Sequence, residues 1–304
     1  MECMNILLIG GSGFLSGTLA RTAVAAGHQV TVVSRGQKNL PEGVSSLITD
    51  RHDSSGFQST IENATRAPWD LVVDCIGYEV ADAQQDIAVF RDRAKHLVFI
   101  STDFVYDPAR RIFPQDEENA HYLEDDGYGA KKRRCELEFA NSDCGDMAWT
   151  VLRPGHIYGP GSRLGCLPVH GRDAQLIERL RNGETLKLVG GGYFLQQPIF
   201  APDLAKLILS CGENATAHRQ IYNSAGPEII ESHHYYRIIA EVLGVELKIE
   251  ELPVAEYLPA HPEHRSFLCH RIYNLEKLKA AGLAVPSTSL AEGLRQHVAS
   301  VLGE

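Results

Sequence analysis

The chain has 304 residues, with 29 Lys plus Arg against 39 Asp plus Glu, and a formal net charge of −10. That length allows about two domains or one elaborate one. The acidic balance argues against nucleic acid or an anionic membrane as the main partner, because both recruit basic surfaces. Seven cysteines, an odd number with no C-x-x-C spacing, indicate neither a disulfide framework nor a zinc ribbon. The opening residues lack a basic n-region and no stretch approaches the length of a membrane span, so a soluble, cytoplasmic protein is expected.

Asn5 to Ile9 reads as a buried strand, Phe14 to Ala26 as a helix ending at Gly27, and Gln29 to Val33 as a second strand. Further strands are expected at Val44 to Thr49, Leu71 to Cys75 and Leu97 to Ile100, with helices at Ser54 to Arg66 and Val80 to Ala94 between them. Uniformly apolar strands alternating with helices indicate a parallel sheet covered on both faces. A doubly wound sheet of this kind binds its ligand at the carboxyl ends of its strands. A long helix follows from Tyr128 to about Asn141, then a strand from Ala148 to Leu152. Beyond Pro154 the elements shorten, with helices expected at Asp173 to Asn182, Asp203 to Cys211, Ser232 to Leu243 and Leu275 to Ala281. The expected fold is α/β. Its sheet domain takes residues 1–154 plus a returning segment around 195–225, and a smaller, interleaved substrate lobe takes most of 155–304.

The first strand runs directly into Gly10, Gly11, Ser12 and Gly13, with Gly17 one turn into the next helix. Gly10 and Gly13 allow a tight turn and close approach of a pyrophosphate to backbone N–H groups, and the helix N-terminus adds a favourable dipole. Glycine strings also mark ordinary turns; the position of this one, ending the first strand of a βα alternation, points to a dinucleotide. An acidic residue closing the second strand would bind a ribose 2′-hydroxyl and repel a 2′-phosphate. Here Ser34 and Arg35 close it, with Lys38 behind, and a hydroxyl with a guanidinium can hold a phosphate. NADP (NADPH) is therefore favoured over NAD. Asp50, at the end of the third strand, either meets the adenine edge or caps the next helix.

Tyr128 and Lys132 stand four apart, on one face of their helix. A tyrosine of ordinary pKa, about 10, exchanges protons poorly near neutrality; a nearby ammonium and the helix N-terminus both stabilise its phenolate. Tyr-x-x-x-Lys is common by chance. Ahead of it, however, Ser101 and Thr102 supply hydroxyls at a strand end, followed by Val105 and Tyr106. Leu152, Arg153 and Pro154 then lead into Gly155, His156 and a Tyr158-Gly159-Pro160 turn. With these motifs in this order the chain resembles the extended short-chain dehydrogenase/reductases, the NAD(P)-dependent epimerase/dehydratase superfamily. Tyr273 to Lys277, followed by Glu292, Gly293 and Leu294, resembles that family's tail, so the resemblance covers essentially the whole chain.

The resemblance implies a Rossmann sheet and a catalytic trio of Thr102, Tyr128 and Lys132. Thr102 would hydrogen-bond the reacting oxygen, Tyr128 would act as general acid or base, and Lys132 would tune Tyr128 and hold the nicotinamide ribose. Cofactor contacts are implied from Gly10, Ser12, Gly13, Phe14 and Leu15, from Ser34, Arg35, Lys38 and Asp50, and from Cys75, Gly77, Tyr128, Lys132, Pro154 and His156. Substrate contacts are expected from Asp103, Phe104, His156, Gln196 and Arg271. The family uses no metal, and a homodimer through the helix carrying Tyr128 is a family expectation.

Departures from the family pattern narrow the substrate. Ser16 stands at the third glycine of the phosphate motif and is small enough to keep helix and sheet close. Asp103 is followed by Phe104 where dehydratases carry Glu, which argues against sugar 4,6-dehydration. Asp103 is then either a secondary acid group or a strand-end cap. His156 replaces an asparagine, and Gln196 with Gln197 replaces a diphosphate-binding arginine, which weakens the case for a nucleotide-sugar unless Arg271 or Arg265 compensates. The chain resembles instead the atypical branch that includes chloroplast stem-loop-binding proteins and bacterial reductases of secondary metabolism.

Six carboxylates, Asp116, Glu117, Glu118, Glu124, Asp125 and Asp126, precede Tyr128; they are either solvated or an attractor for an amine-bearing substrate such as an aminosugar. His261, His264 and His270 with Cys269 invite a metal reading, but pocket or structural histidines are the favoured one, and no metal is expected. The leading expectation is an NADPH-dependent oxidoreductase interconverting a ketone and a secondary alcohol on a sugar-like small molecule. An NAD-dependent nucleotide-sugar epimerase is the alternative, and a non-catalytic dinucleotide-binding sensor or RNA-associated protein is a third reading.

Overall fold

A computed structural model describes residues 2–65 and 67–303. Six strands follow the expected alternation: β1 Asn5–Ile9, β2 Gln29–Ser34, β3 Val44–Ile48, β4 Leu71–Asp74, β5 His96–Ile100 and β6 Ala148–Pro154. Between them run α1 Phe14–Ala25, α2 Ser54–Ala64, α3 Val80–Phe90 and α4 Tyr128–Asn141. Arg66, the last residue of the expected second helix, lies outside the described residues. All neighbours in the sheet are parallel, in the order 3-2-1-4-5-6, and a seventh strand, Gln220–Ser224, adds beside β6. Reversal of strand order at β1 and β4 opens the crevice in which doubly wound sheets bind ligands.

Side chains alternate across the pleat. Ile6, Leu8, Val98 and Leu152 pack on one face against Leu19 of α1 and against Leu204 and Ile208 of the helix Ala201–Gly212. Leu7, Val72, Phe99 and Val151 pack on the other against Phe57, Phe90 and Phe139. Helices on both faces explain why the strands are apolar throughout. A separate cluster, including Tyr158, Leu186, Phe200, Tyr235 and Leu294, forms the core under the helices Ser232–Leu243 and Leu290–Leu302.

The elements that the sequence expectation lacks include the strand Gln220–Ser224 and the helix Leu290–Leu302. The strand Gln220–Ser224 ends in Asn223 and Ser224, both fully buried, so its composition hides it. Tertiary partners satisfy Asn223: its backbone N–H donates to Glu117 at 2.7 Å, its side-chain NH2 to the Gln115 carbonyl at 2.9 Å, and its Oδ1 accepts from the Tyr106 hydroxyl at 2.6 Å. The helix Leu290–Leu302 begins at Ser289, whose hydroxyl accepts from the Glu292 N–H at 3.3 Å. The helix expected from Asp173 starts later, at Leu176, because Asp173 is drawn back to the Leu164 carbonyl.

A buried ion pair fastens α4 to the sheet. Arg153 of β6 donates to both carboxylate oxygens of Glu136 on α4, at 2.6 and 2.9 Å, and both side chains are fully buried. Ser101, at the end of β5, donates to the same carboxylate at 2.6 Å. Burial alone would raise the Glu136 carboxyl, but Arg153 and then Arg133 hold it below its ordinary range. At the other end of the contact, a Cβ on Gly129 would overlap the Phe104 carbonyl, so only glycine lets α4 approach the turn after β5 this closely. Removing one member of a buried pair typically costs about 3–5 kcal/mol. Glu136→Gln is therefore expected to lower the unfolding free energy by about 3 kcal/mol, read from the midpoint of denaturant unfolding at neutral pH.

Candidate active site

The turn after β1 is shaped by close approach. Gly10 has φ +93°, and a Cβ there would lie 2.5 Å from Ile76; one on Gly11 would overlap Val32. Gly17 has more room, with the nearest atom 3.6 Å away. Ser16, nearly fully buried, does more than fit: its hydroxyl donates to the Gly10 carbonyl and accepts from the Gly13 N–H at 3.0 Å. It pins the loop that precedes α1. Gly10, Ser12, Gly13, Phe14 and Leu15 line a cleft of about 1160 Å³ that runs along the carboxyl ends of the strands. A one-ligand pocket is roughly 300–1,000 Å³, so this cleft has room for a dinucleotide and a small molecule together.

Ser34, Arg35, Lys38 and Asp50 line one end of the cleft. Arg35 and Lys38 are exposed and have no carboxylate partner among the described residues. Asp50 lines the cleft while accepting from the His52 N–H at 3.0 Å, so it also shapes its own turn. Cys75, Pro154 and His156 lie farther along. Gly77 does not line the cleft, contrary to expectation. It lies beneath it, where a Cβ would overlap Asp74, and its carbonyl accepts from Lys132 at 2.6 Å. Asp74 holds this turn by accepting from the N–H groups of Ile76 and Gly77 at 2.8 and 2.9 Å. Arg51 anchors Asp74 in turn, at 2.9 Å, together with Asp86 at 3.0 Å.

Thr102, Tyr128 and Lys132 come together in the cleft. Lys132 is 2% exposed, and its ammonium donates to the carbonyls of Gly77 and Ile100 at 2.6 and 2.7 Å. Burial lowers its pKa, against Asp74, which raises it. With its ammonium spent on these carbonyls, Lys132 can influence the phenol only through space. Tyr128 is 47% exposed on its cleft side, with Phe104 and Tyr78 about it. Burial of the remainder and the neighbouring Tyr78 push its phenol up to about 12, while Thr102 and Arg172 favour its ionisation. The Tyr78 ring also covers the Lys132 ammonium, 4.7 Å from its centroid. Neither Tyr78 nor Arg172 was legible as a site residue, since each sits in a segment without a motif.

The substrate residues divide. Phe104 lines the cleft, edge-on to Phe267 with centroids 5.2 Å apart. His156 lines it too; burial, and then Arg271 and Arg172, bring its ring down to about 3, so it is neutral at ordinary pH. Its Nε2 is buried without a protein partner. Asp103 and Arg271 line the cleft but pair with one another. Arg271 donates to Asp103 at 2.8 and 3.3 Å, Tyr273 donates to the same carboxylate, and Arg111 stands 3.6 Å away. Burial would raise the Asp103 carboxyl, yet Arg271 and Arg111 outweigh it and hold it low. Gln196 does not reach the cleft. Its amide donates to Ser232 at 2.6 Å, and Gln197 is spent on Gly226 and on the Tyr273 N–H.

The six carboxylates before Tyr128 also stand away from the cleft lining. Asp116 accepts from Asn274, Glu117 from the Asn223 backbone, Asp125 from the Gly127 N–H, while Glu118 faces Lys277 and Asp126 faces Arg134. Five of the six thus have local partners, and Glu124 is exposed. His261 and His264, with Glu263, bring one ligand atom each within 4.8 Å of one another. His270 is apart from them, its Nδ1 accepting from the Leu195 N–H at 3.0 Å. All seven cysteines are free, and no helix among the described residues is long and apolar enough to cross a membrane.

Residues 6–225 match the family model described as NAD dependent epimerase/dehydratase family. The chloroplast stem-loop binding protein of 41 kDa b from Arabidopsis thaliana is 28% identical over 74% of this chain. The chain spans only 60% of that relative's length. A 2-alkyl-3-oxoalkanoate reductase from Stenotrophomonas maltophilia is also 28% identical, over 98% of this chain and 99% of its own. Among solved structures, UDP-N-acetylglucosamine 4-epimerase from Methanobrevibacter ruminantium M1 superposes with a TM-score of 0.81 at 17% identity, covering 100% of this chain and 99% of its own. That likeness carries the fold.

The buried Asp103 pair has a pH signature. A carboxylate whose folded pKa is lowered stabilises the fold above its ordinary value of about 4 and loses that contribution as pH falls through the lowered value. Asp103→Asn is expected to cost about 3 kcal/mol at neutral pH, since it leaves two arginines facing an uncharged amide. The variant's melting temperature should also fall less than the wild type's between about pH 5 and pH 2, measured by calorimetry.

Proposed function

The chain belongs to the NAD dependent epimerase/dehydratase family, and on that premise we propose that it is an NADPH-dependent oxidoreductase interconverting a ketone and a secondary alcohol on a sugar-like small molecule. The observation that carries this reading is the gathering of Thr102, Tyr128 and Lys132 in the cleft that the glycine turn opens onto. That turn fits a dinucleotide, because Gly10, at φ +93° and pressed against Ile76, lets the chain turn sharply from β1 so that Ser12, Gly13 and Phe14 face the cleft. Backbone N–H groups there and at the start of α1 suit a pyrophosphate. When bound, the nicotinamide supplies or accepts the hydride.

The chain's own residues do the rest. Thr102 and Tyr128 hydrogen-bond the reacting oxygen from the cleft wall. With its phenol pushed up to about 12, Tyr128 carries its proton at neutral pH and gives it to the carbonyl oxygen as the alcohol forms. Lys132, fixed by two carbonyls, would hold the nicotinamide ribose and supply a positive charge near the phenolate that Tyr128 leaves. His156 offers a neutral ring with a free Nε2 to the substrate or cofactor. Arg35 and Lys38, unpaired beside Ser34, support the choice of a 2′-phosphorylated cofactor. The free cysteines are in keeping with the cytoplasm as its place of action, and no nucleic-acid partner is proposed for a chain of charge −10.

A second reading, an epimerase that oxidises and re-reduces a nucleotide-sugar on retained NAD, is favoured by the whole-chain likeness to a UDP-N-acetylglucosamine 4-epimerase. Mass spectrometry of the co-purifying dinucleotide separates the two: stoichiometric, non-exchanging NAD supports the epimerase, and exchangeable NADP(H) the reductase. For the reductase, Tyr128→Phe should lower NADPH oxidation with a keto-sugar panel by about 10²–10⁴-fold. Undiminished turnover would remove Tyr128 from the mechanism. Replacing Arg35 and Lys38 together by Ala should cut kcat/KM for NADPH by roughly tenfold or more, the scale of a lost charge-assisted contact. The value for NADH should hold.

A further inference from the structure

Six Lys and Arg side chains line the cleft, and they are not equivalent. Arg51 is bound by Asp74 and Asp86, Arg271 by Asp103, and Lys132 by two backbone carbonyls. Arg35 and Lys38 lie beside Ser34 at the adenosine end. The sixth, Arg172, stands at the reacting end: it is exposed to the cleft, and its charge reaches Tyr78, Tyr128 and His156. It has no carboxylate partner among the described residues. The adjacent Asp173 is taken by His170 and by Arg179, each at 3.2 Å.

The backbone holds Arg172 in place at a cost. Its φ is +55°, a left-handed conformation that side chains other than Gly, Asn and Asp rarely adopt. Arg219 shares that sign, but there the sheet accounts for it, since its N–H donates to the Trp149 carbonyl at 2.6 Å. Around Arg172 the loop 164–173 is closed tightly. The Asp173 N–H donates to the Leu164 carbonyl at 2.9 Å, and a Cβ on Gly165 would overlap the His170 carbonyl. Tyr236, buried in the lobe core, clasps both the N–H and the carbonyl of Cys166 at 2.9 and 3.0 Å. A well-anchored loop that spends backbone strain to place an unpaired guanidinium beside the acid–base residue is built to meet an anion.

We propose that Arg172 binds an anionic group of the substrate, a carboxylate or a phosphate, positioned so that the reacting oxygen meets Tyr128 while the anion meets the guanidinium. This deepens the hydride-transfer reading above and rests on it. Arg172 would then select among ketones by charge, with Phe104 and Phe267 offering an apolar wall between the two polar contacts.

The test is NADPH turnover by the full chain on matched pairs: 3-oxo acids against their methyl esters, and keto-sugar phosphates against the unphosphorylated keto-sugars. The anionic members of one series should exceed their neutral partners in kcat/KM by about tenfold or more, the scale of a charge-assisted contact, and the series that does so tells carboxylate from phosphate. Arg172→Gly suits the left-handed backbone, so it should keep or raise the melting temperature. It should nevertheless erase the preference, chiefly through KM of the anionic members, while Arg172→Lys keeps part of it. Equal use of charged and neutral members by the wild type overturns the proposal. So does a preference that survives Arg172→Gly, or a loss seen only in NADPH affinity. If Tyr128→Phe retains full turnover, the hydride-transfer reading has failed instead, whatever Arg172 does.

Discussion

The Glu136 carboxylate is the point on which the site depends. It lies fully buried between α4, β5 and β6 and accepts from Arg153, Ser101 and Arg133. α4 carries Tyr128 and Lys132, while the turn after β5 carries Thr102. Without a charged tie at this point, helix and strand end would be joined by the Lys132 bond to the Ile100 carbonyl and by apolar contacts, which tolerate sliding. Two directional hydrogen bonds from one guanidinium fix the helix in rotation and along its axis. Gly129 then permits backbone contact with Phe104 at the helix start, so the acid–base pair and the threonine are set by two contacts a turn or two apart.

The cleft floor follows the same economy of charge. Asp74 orders the turn that presents the Gly77 carbonyl, that carbonyl holds Lys132, and Arg51 keeps Asp74 ionised where burial would otherwise neutralise it. Asp86, alongside, is pushed well above the usual carboxylate range by burial and by Asp74. On the opposite wall Asp103 spends its charge on Arg271 and Arg111. The interior charges are thus largely paired off, and the cations left open lie at the two ends of the cleft. This pattern gives the cleft a direction, with open cations at Arg35 and Lys38 at one end and at Arg172 at the other.

Much of this was legible in the chain itself. The strands from Asn5 to Ile100, the glycine turn, α4 and the trio of Thr102, Tyr128 and Lys132 all lie in short contiguous runs whose periodicity or spacing speaks for them. Gln220–Ser224 escaped notice because its buried Asn223 is satisfied by partners more than a hundred positions away. Gln196 looked like a substrate contact because nothing local reveals that Ser232 occupies its amide. Ser16 looked like a tolerated replacement, whereas its hydroxyl ties the loop together.

Local runs and contiguous motifs therefore determined the parallel α/β sheet, the dinucleotide cradle and the family, because backbone periodicity and turn chemistry are properties of neighbouring residues. Tertiary structure decided which charges are available. Asp103 and Arg271 stand 168 positions apart yet cancel in the cleft, while Arg172 stays unpaired because its neighbouring Asp173 turns to His170 and Arg179. An ion pair depends on distance in space and on burial, and neither is written in the order of the residues.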